Sequence, residues 1–107
     1  MADKISKRCL RCYSEQYWFG ENFLFEYIND NFVEGKKILE IGCAEAGLLK
    51  FYNHKGAICS GLELSDTRYK NAILLNQKDN LHLFQADICD PFSYSKHINQ
   101  KYDLIII

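Results

Sequence analysis

The sequence predicts an α/β fold, an open parallel sheet with flanking helices, and three observations carry that prediction. From Gly35 onward, short apolar runs alternate with longer amphipathic ones, the texture of repeated strand-helix units. The first such run, Ile38-Leu39-Glu40-Ile41, passes directly into a tight turn of small residues, Gly42-Cys43-Ala44-Glu45-Ala46-Gly47, and then into a helix-compatible stretch. Acidic residues mark the ends of two later runs: Glu63 closes one and Asp87 follows the next, on the rim where open α/β sheets bind their ligands.

The elements follow in order. In the polar start, Lys4, Lys7, Arg8 and Arg11 outweigh Asp3, and the segment reads as a solvated, partly frayed terminus. Between residues 14 and 34 the chain is rich in aromatics. Leu24, Tyr27, Ile28 and Phe32 recur at helical spacing and predict a helix near residues 21–31, with Tyr17-Trp18-Phe19-Gly20 a turn or a shorter helix before it. This aromatic excess reads as core packing first and as a lid over a ligand second. Four strands are expected: Lys37 to Ile41, Ala57 to Glu63, Leu81 to Gln85, and Tyr102 to Ile107. Between the first two, Ala46 to Asn53 forms a short helix that Lys55-Gly56 stops. Ser65 caps a longer one, with Asp66 in its first turn, apolar positions at Tyr69, Ala72, Ile73 and Leu75, and its end at Asn76 to Asn80. Pro91 to Asn99 is turn-like or one short helix. The chain thus divides into residues 1–34, an N-terminal segment with a lid-like helix, and residues 35–107, the α/β domain.

Bulk composition narrows the function classes. The 107 residues are 48% hydrophobic and 25% charged, ordinary for one domain around one core. Thirteen basic against fourteen acidic side chains give a net charge of -1, so no global field favours nucleic acid or an anionic membrane. No apolar run approaches the roughly 20 residues of a membrane span. The start Met1-Ala2-Asp3-Lys4 lacks the apolar stretch of a secretory signal, and a cytoplasmic protein is expected. Five cysteines make an odd, irregular set, not a disulfide framework. Cys9 and Cys12 form a single C-x-x-C with no second half-site, so they read as reduced thiols and no metal is expected. Cys43, Cys59 and Cys89 lie in or beside apolar runs and read as small buried residues.

The small-residue turn lets a ligand lie against backbone amides at a helix N-terminus; read as fold alone, it lets strand and helix pack closely. Glu63 follows Gly42 by 21 residues, about the interval at which a carboxylate can accept from a ribose diol. Without a ligand it is a carboxylate favourably placed before the helix that Ser65 caps. Asp87 is equally a turn residue. Coincidence of all three is far less probable than any one alone.

Taken together, Leu39-Glu40-Ile41-Gly42-Cys43-Ala44-Glu45-Ala46-Gly47 resembles the first motif of the class I S-adenosylmethionine-dependent methyltransferases, an acidic residue two before a glycine-rich turn. Gly61-Leu62-Glu63-Leu64-Ser65 resembles that family's second motif, Gln85-Ala86-Asp87-Ile88 its third, and Lys101-Tyr102-Asp103-Leu104-Ile105-Ile106-Ile107 its fourth strand. The aromatic helix before them is similar to the family's N-terminal lid. The resemblance implies a Rossmann-like sheet of order 3-2-1-4 for the part present, and S-adenosylmethionine as cofactor. It places Glu40 and the Gly42 backbone at the methionine end, with Cys43, Ala44 and Gly47 in the same turn. Glu63 would bind both ribose hydroxyls, Asp87 the adenine amino group, and Leu64 and Ile88 would wall the adenine ring. Ala44 and Ala46 depart from the family pattern, which favours glycine there.

A nicotinamide dinucleotide is the rival for this loop, because Gly42 to Gly47 also approximates G-x-G-x-x-G. Glu40 opposes it: a carboxylate beside the turn suits a cation and repels a pyrophosphate. A third alternative keeps the fold as a catalytically silent binding module. The resemblance covers about half of a typical family domain. A chain that stops at Leu104-Ile105-Ile106-Ile107 is accordingly read as truncated, with a bare fourth strand prone to self-association and no turnover on its own. Methyl transfer is an in-line displacement that needs alignment more than acid-base machinery. No catalytic residue is assigned, and the methyl acceptor is expected to be a small molecule.

Overall fold

The computed structural model describes residues 5–107, so Asp3 and Lys4 of the basic start lie outside the described residues. Lys7, Arg8 and Arg11 are not frayed but helical, in α1 (Lys7–Asn22). Ser6 begins that helix, its hydroxyl accepting the Cys9 amide at 3.1 Å. The helix expected near residues 21–31 is therefore corrected. The chain is helical up to Asn22, breaks at Phe23, makes one 3-10 turn at Leu24–Glu26, and forms the short α2 (Asp30–Val33) under an Asn29 cap. The physical reason is the kind of stripe α1 buries. Cys9, Tyr13, Gln16, Tyr17 and Gly20 recur at three- and four-residue spacing, but they offer small and polar atoms in place of large aliphatic ones. Gly20 sits so close to α3 (Gly47–His54) that an added Cβ would lie 2.8 Å from Leu48 and Phe51. The aromatic excess is likewise only partly core: Leu24, Phe25 and Ile28 pack inward, whereas Trp18, Phe19, Phe23, Tyr27 and Phe32 are exposed.

The strands fall where the apolar runs predict, with small adjustments: β1 (Lys37–Ile41), β2 (Ile58–Glu63), β3 (Leu81–Gln85) and β4 (Leu104–Ile106). All pair in parallel, in the order β3-β2-β1-β4, with Glu40 opposite Gly61 on one side and Ile106 on the other. The last strand is shorter than expected: at Asp103 the backbone amide still donates to the Lys37 carbonyl at 2.8 Å, but the Lys37 amide is taken by the Asp103 carboxylate, also at 2.8 Å, in place of a strand carbonyl. Beyond β2 comes α4 (Asp66–Leu75), and α5 (Pro91–Tyr94) is the single short helix after β3.

Strand alternation sorts the core onto two faces. Ile38 and Cys59 join Leu49, Phe51, Tyr52 and Ala72 beneath the helices, while Leu39 and Leu62 face the other way toward Tyr94, Ile98 and Tyr102. Glu40, two residues after Ile38, therefore stands on the helical face at the C-terminal rim. All five cysteines are free; Cys9, Cys43 and Cys59 are buried, but Cys89 is exposed, against expectation, because it lies in the loop after β3 and not in a strand. Among the described residues no group of His, Cys, Asp or Glu is disposed to hold a metal, and no helix is long and apolar enough to cross a membrane.

Candidate functional site

The turn between β1 and α3 is built from alternate left-handed residues: Gly42 at φ 76°, Ala44 at φ 52° and Ala46 at φ 67°. Only glycine enters this region freely, and an alanine there carries a strain of roughly 1–2 kcal/mol. The two alanines thus keep the backbone course of a glycine turn while adding methyl groups, and α3 starts at Gly47 because Ala46 before it is left-handed.

Neighbouring groups hold this strained turn. Gly42 and Cys43 both donate their amides to the Leu62 carbonyl, at 2.8 and 3.0 Å. Glu63 Oε1 accepts the Ala44 amide at 2.7 Å and Glu63 Oε2 the Ser65 amide at 2.9 Å. Ala46 donates to the Cys43 carbonyl at 2.8 Å, and Gly47 to Gln16 Oε1 at 3.0 Å. Five of the six amides in the turn are thereby committed to protein acceptors. A dinucleotide loop must instead aim its amides at a pyrophosphate, so this turn is not an anion cradle.

Glu45, Gln16 and Arg68 form a network that the sequence reading did not single out. The Glu45 carboxylate is buried, and it receives Arg68 Nε at 3.0 Å, Arg68 Nη2 at 2.8 Å and Gln16 Nε2 at 2.7 Å. Burial alone would raise this carboxyl, yet the hydrogen bonds from Arg68 and Gln16 hold it below its ordinary value. Asn76 adds a bond to the Glu45 carbonyl at 3.0 Å. One sequence signal was available: a carboxylate between two alanines of a tight, otherwise uncharged turn needs a cation.

Two cavities open along the rim, and Ile41 and Gly42 line both. The larger, about 490 Å³, lies under α1, with Glu40, Phe19, Gln16 and Arg68 in its wall. The smaller, about 210 Å³, lies over the ends of β2 and β3 and is lined by Glu63, Leu64, Asp87 and Ile88. Six of the nine expected site residues, Glu40, Gly42, Glu63, Leu64, Asp87 and Ile88, thus line these two cavities, which meet at Ile41 and Gly42 along the rim. Cys43, Ala44 and Gly47 line neither cavity. The Cys43 thiol turns toward Gly61 in the core, the Ala44 amide is taken by Glu63, and Gly47 is pressed against the Tyr13 carbonyl of α1.

Electrostatics distinguish Glu40 from Glu63. Oε1 of Glu40 is buried and without a hydrogen-bond partner among the described residues, the only such side-chain atom there. Burial, and second the nearby Glu63 carboxylate, push the Glu40 carboxyl up to about 8. An orphaned acceptor of this kind is costly unless a ligand supplies a donor. Glu63 instead has both oxygens anchored by amides, and each retains a lone pair for a further donor. Asp87 is fixed through its Oδ1, which accepts the Cys89 amide at 2.9 Å. None of His54, His82 and His97 lines either cavity.

Among solved structures, the chain is similar to a magnesium protoporphyrin IX methyltransferase from Synechocystis PCC 6803 with bound S-adenosylmethionine. The TM-score is 0.67 at 15% identity, covering 97% of this chain and 50% of that one. A Thermoplasma acidophilum protein matches with TM-score 0.66 and 16% identity over 89% of this chain and 51% of its own. The plantazolicin methyltransferase BpumL, in complex with S-adenosylhomocysteine, matches with TM-score 0.55 and 22% identity over 91% of this chain and 34% of its own. These likenesses establish the Rossmann-like fold of the class I methyltransferases, and the chain spans about half the length of such structures or less. No curated protein sequence matches it. The family model described as methionine biosynthesis protein MetW matches residues 23–107, from the aromatic segment through β4, and the chain belongs to that family.

Proposed function

We propose that the chain binds S-adenosylmethionine along the C-terminal rim of its sheet and is the cofactor-binding part of a methyltransferase acting on a small molecule. The observation that carries this reading is Glu40, which lines the larger cavity and has a buried, unpartnered carboxyl oxygen, next to a turn with five of its six amides already bonded. Such a site is complementary to a cation. The smaller cavity supports an adenosine, with Glu63 accepting from the ribose hydroxyls, Asp87 from the adenine amino group, and Leu64 and Ile88 supplying apolar walls.

When bound, the cofactor supplies an electrophilic methyl on a sulfonium. The chain's own residues then have few tasks. Glu40 compensates positive charge, Glu63 fixes the sugar, and α1 walls one side of the larger cavity with Phe19 and Gln16, which shields that side from water. The described residues offer no imidazole at either cavity, so a base for the acceptor, where one is needed, is the acceptor's own or belongs to a partner segment. The free thiols suit a reducing, cytoplasmic setting. Ile105, exposed on β4, is proposed as the centre of a self-association edge, with the chain on its own turning over poorly.

Calorimetric titration with S-adenosylhomocysteine tests the reading. Saturable binding that Glu63→Ala removes is the expected result. Binding of a nicotinamide dinucleotide in preference, or of neither ligand by the folded protein, overturns it.

A further inference from the structure

Resting on the cofactor reading above, we infer that Arg68 holds the carboxylate of the ligand's amino-acid tail while Glu40 holds its ammonium group, making the larger cavity selective for an intact α-amino acid zwitterion.

Three observations carry this. First, Arg68 and Glu40 stand in the wall of the same cavity, and among its lining residues Arg68 is the one cation, beside the acids Glu15 and Glu40. A carboxylate entering that space would meet only repulsion without it. Second, Arg68 is held in place before any ligand arrives. Its Nε and Nη2 form a fork onto the buried Glu45 carboxylate, at 3.0 and 2.8 Å, and Gln16 steadies the same carboxylate from α1. A guanidinium held this way loses little further freedom on binding. Third, the fork uses only part of its donor set. Nη1 has no partner among the described residues, and the side chain is 46% exposed. Arg68 thus keeps donors to spare in a side chain that lines the same cavity as Glu40, whose Oε1 is buried without a partner among the described residues.

A competition between two ligands provides the test: S-adenosylhomocysteine and its decarboxylated analogue, which keeps the adenosine, sulfur and amine but lacks the carboxylate. The wild-type protein is expected to bind the intact ligand at least about tenfold more tightly, in line with a charge-assisted hydrogen bond. Arg68→Met is expected to weaken the intact ligand by that factor, leave the decarboxylated one within about twofold, and so erase the preference; Arg68→Lys retains part of it. Equal binding of the two ligands by the wild type overturns the assignment while leaving the cofactor reading intact, and needs no variant. A variant that weakens both ligands alike also overturns it, by showing a strut. Binding of neither ligand by the wild type defeats the cofactor reading and this assignment together.

Discussion

The carboxylate of Glu63 and the amide of Ala44, separated by 19 residues, meet at 2.7 Å, joining the end of β2 to the middle of the turn that follows β1. The same carboxylate receives Ser65, which opens α4. Glu63 is therefore both a structural anchor and the proposed ribose acceptor, and the two roles separate by substitution. Glu63→Ala strands two amides and is expected to lower stability by about 1–3 kcal/mol. Glu63→Gln keeps one acceptor, so it should unfold closer to wild type in urea yet bind S-adenosylhomocysteine much more weakly. A Gln variant that binds as wild type does would remove Glu63 from the ribose.

Ala44 offers a cleaner test of strain. It holds φ 52° with its amide already bonded, and its methyl is not part of the buried core. Ala44→Gly relieves roughly 1–2 kcal/mol of left-handed strain and gives back about 0.4–1 kcal/mol through the freer unfolded chain. A small net stabilisation is expected in chemical denaturation. A clear loss of stability would show that the turn gains from the methyl.

These two positions also show what was legible in the sequence. The strands could be read because β1, β2 and β3 are short apolar runs bounded by turn residues, and the acids that end them take their place from the strand register. The positive φ angles of Ala44 and Ala46 were not legible, because alanine in a glycine position is equally compatible with a shifted backbone. Glu45 could be read as needing a cation, but its partners Gln16 and Arg68 could not be named. They lie 29 and 23 residues from Glu45 along the chain and matter only because α1 and α4 bring them together. The start of α1 was missed for a related reason: its inward stripe of Cys9, Gln16 and Gly20 makes contact by being small or polar, and hydrophobic periodicity does not register such a stripe.

Gly47 tests whether α1 is seated as tightly as that stripe implies. A Cβ at this position would run into the Tyr13 carbonyl and lie 2.8 Å from Gln16 Cβ and 3.1 Å from the Tyr17 amide nitrogen. Backbone cannot yield as a flexible side chain would. Gly47→Ala is expected to displace α1, break the Gln16 bond to the Gly47 amide, and cost about 1–3 kcal/mol. For a chain of this size that is a fall in Tm of at least about 4 °C. An unchanged Tm would mean that α1 moves freely against α3.

Glu40 gives the prediction most particular to this site, because its charge state differs between folded and unfolded chains. Burial and Glu63 raise its folded value to about 8, whereas the unfolded carboxyl keeps its ordinary value near 4.5. The unfolded state therefore surrenders its proton first as pH rises. Stability linked to Glu40 is complete below the ordinary carboxylate range, declines from there to about pH 8, and is level beyond it. At about 1.4 kcal/mol per unit of separation the decline amounts to several kcal/mol, and Glu40→Gln should flatten it in urea titrations at pH 5 and pH 8. Glu15, Glu63 and Arg68 also line the two cavities and remain in that variant, so the difference isolates Glu40. A ligand ammonium group reverses the bias, since it pairs with the ionised carboxylate and must expel the proton when the pH is below about 8. Calorimetry near pH 7 in two buffers of different ionisation enthalpy should show close to one proton released per S-adenosylhomocysteine bound, and none in Glu40→Gln. An equal proton count in both proteins would mean that Glu40 does not meet the ligand's positive charge.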